Sequence, residues 1–134
     1  MNTTPNPANA SLLNRIYTHF AEGKIDAMLE LFPENATFQV YGKSPMAGKY
    51  TRASFKTDFA EKMKTLTGGS YQFSVHDVFA SDLHGVVLGT VKVTLHGKTT
   101  ELRMAHIWRI EKGVLIAGYE YTRDLYQHDS VLGG

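Results

Sequence analysis

The chain has 134 residues, 43% of them hydrophobic, with 14 Lys and Arg against 13 Asp and Glu and a formal charge of +1. That length and balance predict one soluble globular domain with a single core, and the lack of a basic run argues against a nucleic-acid surface or a polybasic membrane anchor. There is no cysteine, hence no disulfide or thiolate chemistry; no stretch approaches the ~20 apolar residues of a spanning helix, and the polar start MNTTPNPANAS lacks the features of a signal peptide, so a cytoplasmic location is expected.

Residues 1–10 carry Pro5 and Pro7 without apolar periodicity and read as a flexible N-terminal arm. A first helix follows, capped by Asn9 or Ser11, in which Leu12, Leu13, Ile16, Tyr17 and Phe20 recur at three- and four-residue spacing until Gly23. Asp26 caps a short second helix that turns Met28, Leu29 and Phe32 to the core and stops at Pro33. The segment ATFQVYG, residues 36–42, alternates as a strand, and Gly42, Pro45 and Gly48 then mark a loop.

Between Thr51 and Leu66 the stripe Phe55, Phe59, Met63, Leu66 predicts a third helix, closed by Gly68 and Gly69. Beyond it the period changes to two, and residues 70–80, 85–95, 99–110 and 114–124 read as four strands joined by short polar turns at 81–84, 96–98 and 111–113. The order α-α-β-α-β-β-β-β is that of an α+β protein with helices packed on one face of a sheet. A single domain is expected over residues 11–128, with 129–134 as a C-terminal tail.

The last hairpin, HIWRI-EKG-VLIAGYEYTRD, separates His106 from Glu120 by fourteen residues. The two lie across a Lys-Gly turn, and with side chains alternating along the strands and a regular turn that even spacing lets the imidazole and the carboxylate point to one face of the sheet. Leu102, Met104, Trp108 and Ile110 share the parity of His106. The two ionisable groups are therefore expected in an apolar wall, where burial raises a carboxyl pKa and suits Glu120 to act as a base near neutrality. His106, with an unperturbed pKa near ~6.5, could orient or protonate a substrate oxygen. His76 and Asp77 are strand neighbours and must point to opposite sides.

No cofactor or metal is expected. The histidines at 19, 76, 84, 96, 106 and 128 form no HxH or HExxH pattern, GKSPMAGKY does not have the spacing of a phosphate loop, and no G-x-S-x-G occurs.

The order of elements, together with AEGKIDAMLELFPENATF, SPMAGKYTRASF and HIWRIEKGVLI, resembles the SnoaL-like and ketosteroid-isomerase-like branch of the nuclear transport factor 2-like superfamily over roughly residues 11–124. The resemblance implies a cone: a curved mixed or antiparallel sheet wrapped around the N-terminal helices, an apolar pocket for a small hydrophobic molecule, and a homodimer formed through the outer sheet surface. SnoaL-like cyclases use an aspartate base on the last strand and a histidine on the strand before it. Glu120 and His106 fall near those positions, the glutamate being one methylene longer. The carboxylates of ketosteroid isomerase fall near Val40 and Ala105 and are absent, while Tyr17 lies near its tyrosine, so steroid isomerisation by that mechanism is disfavoured. Tyr17, Phe38, Tyr41, Met104, Trp108 and Tyr119 are the expected ligand-lining residues, with core packing expected of Phe55 and Phe59, and capping or a surface ion pair of Asp124. Two functions follow: cofactor-free acid/base chemistry of the isomerase, cyclase or lyase type on a hydrophobic cyclic or carbonyl-bearing substrate, or a non-catalytic ligand-binding or dimeric interaction module of the same fold.

Overall fold

The computed structural model describes residues 4–133. Helix α1 spans Pro7–Ala21 and α2 spans Ile25–Leu29. Strands β1 (Thr37–Val40) and β2 (Gly48–Thr51) precede a composite helix, which runs without a break through Arg52–Ser54, a π-helical stretch Phe55–Glu61, and Lys62–Leu66. Strands β3 (Gln72–Ala80), β4 (His84–Leu95), β5 (Lys98–Glu111) and β6 (Val114–Thr122) come next, and a C-terminal helix covers Leu125–Leu132.

The six strands form one curved, unclosed sheet in the order β2-β1-β6-β5-β4-β3, antiparallel throughout except for the parallel pair β1 and β6. Its concave face carries Val87, Trp108 and Ile110, and α1 lays Leu13, Ile16 and Tyr17 against them in the main core. A smaller cluster of Val91, Val93, Leu102 and Met104 lies toward the other end of the long strands. The α+β reading and the curved sheet against N-terminal helices therefore hold. No helix among the described residues is long and apolar enough to cross a membrane.

Three local features depart from the expected order. Helix α1 begins inside the segment read as an arm: the Asn6 side chain accepts from the backbone N–H of Asn9 at 3.0 Å, and Pro7 occupies the first turn, where its missing N–H costs nothing. Asn9 is not the cap; it is buried and donates to the Ser81 carbonyl at 3.0 Å. Strand β2, within the stretch 42–51, has only Tyr50 to signal it and owes its form to pairing with β1, in the register Phe38 to Tyr50.

The third is the C-terminal helix, which takes up most of the expected tail. Asp124 caps it by accepting from Gln127 N–H, and Gly133, with φ of 94°, ends it. The expectation that Asp124 serves as a cap is met. The helix buries His128 and Leu132, and Asp129 accepts hydrogen bonds from the backbone of Lys43 and Ser44 at 3.0 and 3.1 Å, fastening the loop between β1 and β2.

The β5–β6 turn has two residues, not three. Lys112 and Gly113 both have positive φ, the geometry of a tight hairpin turn. Continued regularly from Glu111 opposite Val114, that turn would set His106 opposite Tyr119 and send Glu120 to the other face. A register shift at Arg109/Ile110, where β6 carries one extra residue, restores the pairing of His106 with Glu120.

Candidate functional site

Helix α1 and strands β5 and β6 each contribute one polar group to a buried line. Tyr17 Oη lies 2.5 Å from His106 Nδ1, His106 Nε2 lies 3.1 Å from Glu120 Oε1, and Trp108 Nε1 donates to Tyr17 Oη at 3.0 Å. His128, from the C-terminal helix, brings its Nε2 to 3.4 Å from Glu120 Oε2. Rings of Phe38 and Phe73 stand 5.1 and 5.0 Å from the imidazole of His106, so the line runs through apolar surroundings.

Burial pushes the Glu120 carboxyl upward, but hydrogen bonds from His106 and His128, with the charges of both imidazoles, outweigh it and hold the group at about 2. Glu120 is thus an anion across the neutral range, which overturns the expected raised pKa. An anion at Oε1 can only accept, so His106 Nε2–H donates to Glu120, and in the imidazole tautomer that this selects the lone pair at Nδ1 accepts the Tyr17 O–H. The phenol is pushed well up, first by burial and then by the Glu120 charge against the lowering effect of the Trp108 donor, so Tyr17 keeps its proton.

The line ends at a pocket. Tyr17, Phe38, His106 and Trp108 belong to its wall, and so do Phe20, Phe55, Phe59 and Phe73. Buried Tyr17 and His106 make the floor, and the less buried Thr37, Thr51 and Arg52 edge the mouth. It is narrow, about 60 Å³, on a scale where one water takes roughly 10–15 Å³. Phe55 and Phe59 are stacked at 4.7 Å, both on the π-helical stretch, whose wider turn sets them on one side. Phe59 belongs to the main core and Phe55 packs against it, as expected, and both also border this pocket.

Other expected site residues lie elsewhere. Glu120 does not line the pocket; it sits behind His106, 7% exposed. Tyr119, its strand neighbour, must face the opposite, outer side of the sheet. Tyr41 is 42% exposed and packs on Tyr121 with ring centroids 6.4 Å apart. Met104 is on the concave face but belongs to the second core cluster. His128 carried no signal of a site role in the sequence, since no helix or strand was expected beyond residue 124.

Among the described residues, no group of three or more His, Asp or Glu side chains is arranged to hold a metal. Gly118, directly opposite Trp108, gives the indole its place, since a Cβ there would lie 2.5 Å from the ring.

A family model described as SnoaL-like domain matches residues 13–119. Among solved structures, the fold is similar to Bal32a from a soil-derived mobile gene cassette, at 26% identity and TM-score 0.84, covering 93% of this chain and 96% of that one. It is also similar to TerC, solved with polyporic acid, at 20% identity and TM-score 0.81, covering 95% and 99%. A third similar structure, described as a candidate polyketide cyclase from Xanthomonas campestris pv. campestris, shares 19% identity at TM-score 0.72, covering 94% and 97%. No curated protein matches the chain.

Proposed function

The chain belongs to the SnoaL-like domain family, and on that footing we propose that it is a small-molecule enzyme performing cofactor-free acid/base chemistry, of the isomerase, cyclase or lyase type, on a hydrophobic cyclic or carbonyl-bearing substrate. The observation that carries this reading is the hydrogen-bonded line from the pocket floor to a buried anion: Tyr17 Oη, His106 Nδ1, His106 Nε2, Glu120 Oε1. In the proposed step a C–H beside the substrate carbonyl gives its proton to the Tyr17 oxygen as the phenolic proton passes to His106 Nδ1. The electron pair left on carbon moves into the carbonyl as an enolate, and the imidazolium is stabilised by the Glu120 carboxylate. Return of the proton at another carbon is an isomerisation; attack of the enolate carbon on a second carbonyl is a cyclisation.

Tyr17 is then the group that touches substrate, His106 holds the proton, and Glu120 is a positioning residue rather than the base. This assignment fits a carboxyl held at about 2, which is too weak a base to abstract the proton itself. The rival reading, a non-catalytic binding module, draws support from one observation: both ring nitrogens of His106 are already satisfied within the protein.

The same reading makes the chain a homodimer through the outer sheet face, where Phe79, Leu88 and Tyr121 are exposed. Native mass spectrometry of the purified protein tests the ligand class. A copurified hydrophobic carbonyl compound supports the proposal, and a strongly polar metabolite in its place contradicts it.

A further inference from the structure

Among the described residues, Arg52 is the only Lys, Arg, Asp or Glu in the lining of a mostly apolar and aromatic pocket. It opens the composite helix directly after Thr51, whose side chain caps that helix, and it is half-buried at the mouth. The carboxylates that form ion pairs with Lys or Arg in this structure take Lys24, Lys56 and Arg109, so among the described residues Arg52 has no carboxylate partner. An unpaired guanidinium at the lip of a low-dielectric cavity lacks a counter-charge, and its planar fork matches a carboxylate through two parallel hydrogen bonds.

The space behind it has a shape of its own. Phe55 and Phe59 are stacked with an interplanar angle of 17°, Phe38 and Trp108 at 24°, and Phe38 meets Phe59 edge-on at 90°, so an occupant of the cavity they border meets both ring faces and ring edges, which suits an aromatic molecule. The pocket thus has two polar ends: Tyr17 and His106 at the floor, and Arg52 at the mouth.

Resting on the pocket reading above, we infer that the ligand is an aromatic carboxylate, bound with its ring among the aromatic side chains and its carboxylate on Arg52. Arg52 sets which molecules enter, and the floor acts on the far end. The charge preference disfavours neutral analogues of the same shape by affinity rather than by fit.

The chain has one tryptophan, Trp108, and it lines the pocket, so its fluorescence reports occupancy. Trans-cinnamate and the nearly isosteric neutral cinnamamide are titrated into wild type and Arg52→Gln. Wild type is expected to bind cinnamate roughly tenfold more tightly than cinnamamide, as for a charge-assisted hydrogen bond at a partly exposed site. In Arg52→Gln the two affinities converge, and Arg52→Lys, which keeps the charge but loses the fork, recovers part of the difference. Equal binding of both probes by wild type, or a cinnamate preference that survives Arg52→Gln, overturns this inference and leaves the pocket reading intact. Failure of both probes to quench Trp108 overturns the pocket reading together with the inference built on it.

Discussion

His106 and Glu120 face each other directly across β5 and β6, Nε2 to Oε1 at 3.1 Å, and an added residue in β6 makes this possible. The tight Lys112-Gly113 turn alone would have put Tyr119 opposite the imidazole and the carboxylate on the outer face. The bulge thus sets the facing of all of β6 beyond it, Glu120 included, a role bulges often play beside functional sites. Behind the pair, His128 covers the second carboxylate oxygen, and the anion is buried without being left unpaired.

Replacing Glu120 by Gln keeps the shape and removes the charge. The carboxyl is lowered from 4.5 to about 2 in the folded protein, so its contribution to stability is fully present above pH 4.5 and is lost as the pH falls through about 2. Urea denaturation should show wild type losing on the order of 3 kcal/mol over that window. Glu120→Gln should be less stable than wild type near neutrality and lose much less over the same range. Parallel profiles for the two proteins would count against a native Glu120 anion.

Tyr17→Phe deletes one oxygen that serves two buried partners, His106 Nδ1 and Trp108 Nε1. Stranding both groups should cost about 1–3 kcal/mol in chemical denaturation. With a substrate identified from copurified material, kcat should fall by about 10²–10⁴ while KM changes little, the pattern of a lost proton-transfer group.

Gly118→Ala is expected to disturb the pocket from the strand behind it. Its new methyl would meet the Trp108 ring at 2.5 Å, and neither backbone nor indole has an easy retreat in a packed core. A loss of about 1–3 kcal/mol, with a shifted Trp108 emission maximum, is the expected result. An unchanged spectrum and stability would mean that the indole is not held against this strand.

His128→Ala removes one of the two hydrogen bonds that lower the Glu120 carboxyl. The folded pKa must rise, so the contribution of Glu120 shrinks and is lost at higher pH than in wild type. Acid unfolding followed by circular dichroism should therefore show an upward shift in midpoint, whereas removal of an idle side chain would leave the midpoint in place.

Periodicity was enough for α1, the composite helix and the four long strands, because each buries one continuous face and its apolar spacing records which. It failed where form comes from partners. Strand β2 has Tyr50 and little else, and its pairing with β1 is a tertiary fact. The C-terminal helix shows Leu125 and Tyr126 to solvent, and its signals were the terminal ones, Asp124 before it and Gly133 after it. Tyr17, His106 and Trp108 stood out by family position or strand parity, and Phe38 only as one of several aromatic residues. Tyr119 could not share a face with Glu120, as strand alternation alone requires. The depressed carboxyl of Glu120 was illegible because it depends on a direct hydrogen bond from His106, which parity places on the same face but does not aim, and on a second from His128, in an element the spacing did not reveal.

The most direct test of the proposed relay is deuterium uptake from D₂O at the carbon beside the carbonyl of aromatic ketones that quench Trp108, followed by proton NMR. Wild type should accelerate exchange on bound ketones, His106→Ala and Tyr17→Phe should abolish the acceleration, and Tyr119→Phe on the outer face should keep it. Ketones that bind without exchanging, or acceleration that survives loss of both His106 and Tyr17, would contradict the account.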